Sequence, residues 1–193
     1  MKGIQFIFLV FMVFGASGTL NTATVGKKVE DFKLKDAYGK EISLYQFSDK
    51  KGVVIMFIAT RCPVSNAYND RMALISKEYT GKGIQFLGIN SNKQEETNEI
   101  AEHSKSHNFE FPVLKDNGNI IADRFDAQVT PEVYLIDPDK TIRYHGRIDD
   151  SQNEKNVKEK DLKNVLDAYL SGKPLPRTET KAFGCTIKRV NAS

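Results

Sequence analysis

Cysteine occurs twice in the 193-residue chain, and Cys62 and Cys185 are its clearest candidates for covalent chemistry. Cys62 sits in FIATRCPVSNAY, between the end of an apolar run and a proline. The run GVVIMFIA, residues 52–59, has the unbroken β-branched content of a strand buried on both faces. Pro63 suits the first residue of a helix, where its missing N–H would have lacked a partner anyway. That places Cys62 at a helix N-cap, its sulfur near unpaired N–H groups and the positive end of the helix dipole. Arg61 adds positive charge beside it, and such surroundings stabilise the nucleophilic thiolate. An inert buried thiol and half of a structural disulfide are the competing readings.

The N-terminus bears on that choice. Met1-Lys2 precedes an apolar run of 11 residues, Ile4 to Phe14, and then the small residues GASG. A short positive end, an apolar run and a small-residue exit describe a secretory signal peptide over residues 1–18. The run falls short of the ~20 apolar residues that span a bilayer. The protein is therefore expected to be exported, periplasmic or secreted, with no membrane attachment after cleavage. In an oxidising compartment an even cysteine count favours pairing. A bridge from Cys62 to Cys185 would close a very long loop, which a chain able to bury a sizeable core does not need for stability. The formal charge is only +3 and basic residues are interspersed with acidic ones, which gives nucleic acid no footprint.

The elements that must hold Cys62 follow from pattern. DFKLKDAYGKEISL alternates about Tyr38-Gly39 as a hairpin does. Apolar spacing through Tyr68, Met72, Ile75 and Tyr79 predicts a helix from Pro63 to Gly81, and IQFLGIN, residues 84–90, a second buried strand. Residues 93–108 read as a charged surface helix, and FPVLKD leads through Asn117-Gly118 into a short helix, NIIADRFD. EVYLIDPDKTIRYHGRID reads as two strands about the turn DPDK, and residues 160–172 as a last amphipathic helix. The order is that of an α/β chain with a mixed sheet. One domain over 25–172 is expected, then a tail, 173–193, that carries Cys185.

The residues VVIMFIATRCPVS resemble the strand, loop and helix start of thioredoxin-like proteins. VTPEVYLID is similar to that superfamily's cis-proline loop, with Thr130-Pro131 at the cis bond, and the hairpin before the core resembles the N-terminal extension of redoxins. YHGRIDD and FGCTIKR resemble an exported redoxin subgroup. The resemblance implies a thioredoxin-like fold: a central mixed sheet flanked by helices, with an N-terminal β-hairpin extension. The chain departs from the pattern in specific places. Ser65 stands where a dithiol thioredoxin has its second cysteine, Arg61 where an aromatic is expected, and Met56 where a buried acid is expected. Ala59 replaces the hydroxyl residue that peroxiredoxins place three positions before their cysteine, and Ile55 replaces their proline.

The resemblance implies thiol–disulfide exchange with Cys62 attacking. Ser65 can donate a hydrogen bond to a thiolate but cannot resolve a mixed disulfide, which leaves Cys185, on a flexible tail behind Gly184, as resolving partner. Arg61, Pro63, Ser65, Thr130 and Pro131 support or bind substrate. The partners are protein or small-molecule disulfides and thiols and an electron donor. A thiol peroxidase and a binding module with a static Cys62–Cys185 bridge are the alternatives. No metal or other cofactor is required. His103 and His107 share a helix face among charged residues, His145 reads as an exposed strand residue, and Asn66 occupies the second position of a CxxxC copper motif.

Overall fold

The computed structural model of the chain describes residues 24–190, so the expected signal peptide at 1–18 lies outside the described residues. Its sheet is built around the apolar run that precedes Cys62. Strand β3 covers Gly52–Phe57 and β4 covers Ile84–Asn90, and the two pair in parallel. Successive side chains of β3 enter opposite cores. Val53, Ile55 and Phe57 join one buried cluster, Val54 and Met56 the other. A strand covered on both faces has no polar face to show, which is why its sequence is unbroken rather than alternating.

The hairpin strands β1, Lys33–Asp36, and β2, Glu41–Ser43, turn at Gly39, whose φ of +87° is open to glycine without strain. Asp36 holds that turn by accepting from Tyr38 N and Lys40 N, each at 2.9 Å. Strands β5, Val113–Lys115, β7, Glu132–Ile136, and β8, Ile142–Gly146, complete a seven-stranded sheet in the order β2-β1-β5-β4-β3-β7-β8. Pairing is parallel among β3, β4 and β5 and antiparallel elsewhere. Helices α2, Asn69–Thr80, α3, Thr97–Ser106, and α5, Asp161–Leu170, place Met72, Tyr79, Ile100, Leu162 and Leu166 in one core. Helix α4, Ile120–Phe125, covers the other face with Ile121 and Phe125. The mixed sheet flanked by helices is the thioredoxin-like α/β architecture expected.

Three expectations change. The helix expected from Pro63 to Gly81 is two, α1 at Pro63–Asn66 and then α2. Between them Tyr68 buries its ring and donates to Asp149 at 2.9 Å, with the Arg71 guanidinium 3.7 Å above the ring. The charged helix expected over 93–108 starts only at Thr97, because Glu95 turns inward and is 1% exposed. The tail, expected to be flexible, is docked. Its strand β9, Cys185–Thr186, pairs antiparallel with β6, Val129–Thr130, in a separate two-stranded sheet.

Candidate active site

Cys62 caps α1 with extended backbone, φ −87° and ψ 117°, and Pro63 opens the helix behind it. The Ser65 backbone N–H donates to the Cys62 sulfur at 3.3 Å. The helix end thus meets the sulfur through its backbone, as the N-cap position dictates. The Ser65 hydroxyl, expected to face the sulfur, instead accepts from Ala59 N at 3.1 Å, fully buried, and fixes the loop between β3 and α1. Asn66 Nδ2 ties the same loop by donating to Thr60 O at 2.9 Å.

Glu95 clamps this loop from behind. Its Oε2 accepts from Thr60 N at 2.8 Å and from Asn90 Nδ2 at 2.5 Å. Its Oε1 accepts from Arg61 N and Asn92 Nδ2, each at 3.1 Å. Four N–H donors on one buried carboxylate satisfy both oxygens, which is what makes its burial tolerable. Arg61, expected to favour a thiolate, is turned to Glu99 instead. It donates from Nε at 2.9 Å and from Nη2 at 2.6 Å, and Thr60 Oγ1 also bonds Glu99. Arg61 outweighs partial burial and holds the Glu99 carboxyl below its ordinary value. The positive influence on Cys62 therefore comes from the helix end.

The second wall is the cis peptide Thr130-Pro131. The Thr130 carbonyl oxygen lies 3.5 Å from the Cys62 sulfur, and the Thr130 hydroxyl is buried without a hydrogen-bond partner among the described residues. Glu132, the next residue, is 3% exposed and holds the loop ahead of the proline. Its Oε2 accepts from Gln128 N at 2.8 Å and Val129 N at 3.1 Å, and its Oε1 bonds His145 Nε2 at 2.5 Å and the Tyr134 hydroxyl at 3.1 Å. Burial pushes this carboxyl up, but His145 and the two backbone N–H groups outweigh it and leave the group below its ordinary value. His145 is not the exposed residue expected: its ring stacks on Tyr134 at 4.3 Å.

Cys185 closes the site. It is bonded to Cys62, with 5.9 Å between the Cα atoms and a sequence separation of 123. Beyond the bridge the tail is held by hydrogen bonds. Ile187 N donates to Gln128 O at 2.9 Å, Lys188 N to Asn92 Oδ1 at 2.7 Å, and Arg189 Nη2 to Ala127 O at 2.7 Å. Before the bridge, Thr180 N donates to His145 O at 3.0 Å. Arg147 and Asp149 belong to ion pairs, with Asp161 and with Arg71. The rings of His103 and His107 lie tilted to one another with centroids 4.4 Å apart, beside Phe109. Among the described residues no third metal-type side chain joins them.

Every site residue read from the sequence except Arg61 faces the bridge or shapes the loops around it. Glu95, Asn92, Glu132 and His145 were missed. Only Glu132 left a trace, as an acid opening an apolar strand directly after the cis-proline.

A family model described as the AhpC/TSA family matches residues 25–145. Thiol-disulfide oxidoreductase ResA of Halalkalibacterium halodurans is 27% identical over 126 residues, which is 65% of this chain and 66% of that protein. The match thus spans just under two thirds of the relative's own length. Among solved structures, a hypothetical protein from Sinorhizobium meliloti 1021 is 33% identical with a TM-score of 0.82, covering 90% of this chain and 98% of that one. An uncharacterized conserved protein from Geobacillus kaustophilus is 29% identical with a TM-score of 0.83, covering 90% and 96%.

Proposed function

The chain belongs to the AhpC/TSA family, and from that premise we propose that it is an extracytoplasmic thiol–disulfide oxidoreductase. Cys62 is the attacking thiol and Cys185 the resolving one. The observation that carries this reading is the Cys62–Cys185 bridge, set at a helix N-terminus against a cis-proline strand. In the dithiol form the Cys62 thiolate attacks one sulfur of a partner disulfide, forming a mixed disulfide and releasing the partner's other sulfur as a thiolate that takes a proton. The Cys185 thiolate then attacks the Cys62 sulfur, the internal bridge forms, and the partner's second thiol leaves. The partner is reduced by two electrons, the protein is oxidised by two, and a dithiol donor restores it. Read backwards, the same steps oxidise a dithiol.

The helix end supports the first step by lowering the cost of negative charge on Cys62. Residue Ala59 supports exchange over peroxide reduction, since no hydroxyl stands at that position to activate a peroxide. The apolar N-terminal run supports export.

The test is the reactivity of Cys62 in Cys185→Ser together with the potential of the native pair. The rate of alkylation against pH is expected to have a midpoint below the ~8.5 of a free thiol. Equilibration with dithiol buffers is expected to place the bridge well above the roughly −300 mV of structural disulfides. A midpoint at the free value and a potential below that mark would make the bridge a static staple.

A further inference from the structure

The tail lies where an extended partner would have to lie. Thr130 and Val129 present the free edge of β6 beside Cys62, and the chain's own Cys185 and Thr186 fill it. Each position of the tail around the cysteine meets a different demand. A Cβ on Gly184 would stand 1.9 Å from the Thr130 carbonyl oxygen, so the residue before the cysteine has to be glycine. Thr186 and Lys188 point to solvent, while Ile187 between them is 3% exposed and packs into the core that holds Phe125 and Ala127. Arg189 reaches Asp123 Oδ1 at 2.8 Å as well as the Ala127 carbonyl. The backbone between these points is read by Gln128 O, Asn92 Oδ1 and Lys93 N. All of the groups doing the reading belong to residues 92–130, outside the tail.

We infer that this edge is the partner-binding site of the exchange reaction proposed above, and that the tail occupies it as a stand-in for substrate. The partners selected are proteins whose reactive cysteine lies in an extended segment of the pattern glycine–cysteine–any–aliphatic–any–arginine. An added strand takes its affinity from main-chain bonds and its specificity from the alternate side chains that find pockets. Partner and tail compete for one edge. As Cys185 displaces the partner's sulfur, the returning tail displaces the partner's strand.

The test uses the full-length Cys185→Ser variant, with its tail in place. The probe is an octapeptide copying Phe183 to Val190, its cysteine activated as a mixed disulfide with thionitrobenzoate. Attack by Cys62 transfers the peptide to the protein and releases the coloured thiolate. Three further peptides carry alanine for the glycine, aspartate for the isoleucine, or glutamate for the arginine. Ellman's reagent serves as a small disulfide that does not use the edge, and Cys62→Ser gives the background. The parent peptide is expected to react about tenfold or more faster than the alanine and aspartate peptides, a difference of about 1.4 kcal/mol in barrier, with the glutamate peptide between. Equal rates for all four peptides would overturn the inference. Reaction of Ellman's reagent without any peptide would overturn it too, since the edge would then be closed to partners. Inertness of Cys62 to every probe would instead remove the exchange reading itself, and the inference with it.

Discussion

Glu132 does at the cis-proline what Glu95 does at the cysteine: each buries a carboxylate to hold the backbone N–H groups of a loop. The balance at Glu132 gives a pH dependence with a definite sign. Its folded value lies below the ordinary 4.5. A carboxyl depressed on folding contributes stability that is fully present above the unfolded value and lost as pH falls through the folded one. Thermal unfolding of the oxidised protein is therefore expected to show the melting temperature falling more steeply below about pH 5 in the native protein than in Glu132→Gln. Parallel curves would mean that the carboxylate does not hold the loop. The two acids also mark the limit of what the sequence could reveal at this site. The placing of Cys62 and Pro63 was legible because a strand end comes before them and a helix start after, and the cis bond at Thr130-Pro131 was legible through the resemblance of VTPEVYLID to the thioredoxin-like loop. Thr60 and Glu95 are 35 residues apart. Nothing local tells an acid that turns inward from one on a solvated helix face, and for the same reason Arg61 gave no sign of its pairing with Glu99.

Between elements, β9 runs close against β6, and Gly184 is what permits it. Alanine there would set a Cβ inside the Thr130 carbonyl, so β9 has to shift away from Cys62 for the side chain to fit. Gly184→Ala is expected to weaken bridge formation by about tenfold, close to 1.4 kcal/mol, as read from the oxidised fraction in a glutathione buffer. The sheet should stay intact, because β9 belongs to the smaller sheet. An unchanged oxidised fraction would show that the strand has slack to spare. The buried strands β3, β4 and β7 were readable because apolar runs and turn residues are local signals. The break before α2 was not, since it follows from a tyrosine reaching a carboxylate 81 residues away. Nor was the docking of the tail, whose anchors are backbone and side-chain groups far away in the sequence.

For the whole molecule the bridge joins residues 123 apart. Closing a loop of that size restrains the unfolded chain by about 5 kcal/mol in the entropic account. Reduction is accordingly expected to lower the melting temperature by about 10–20 °C in a domain of this length, and dithiothreitol should leave it folded below the new transition. Hydrogen exchange should then quicken at Ile187 and Lys188 while the amides of β3 and β4 remain protected. Loss of protection throughout β3 would mean that the bridge is needed for the fold itself. The path of the tail also sets an order of events during synthesis. Cys185 comes after every strand of the seven-stranded sheet, so a chain that stops short of the tail holds the whole sheet but not the residue that bridges Cys62. A nascent or C-terminally clipped molecule in that state presents an unpaired thiol beside an open strand edge. It is then the form most exposed to capture by a foreign thiol, or by the edge of another copy.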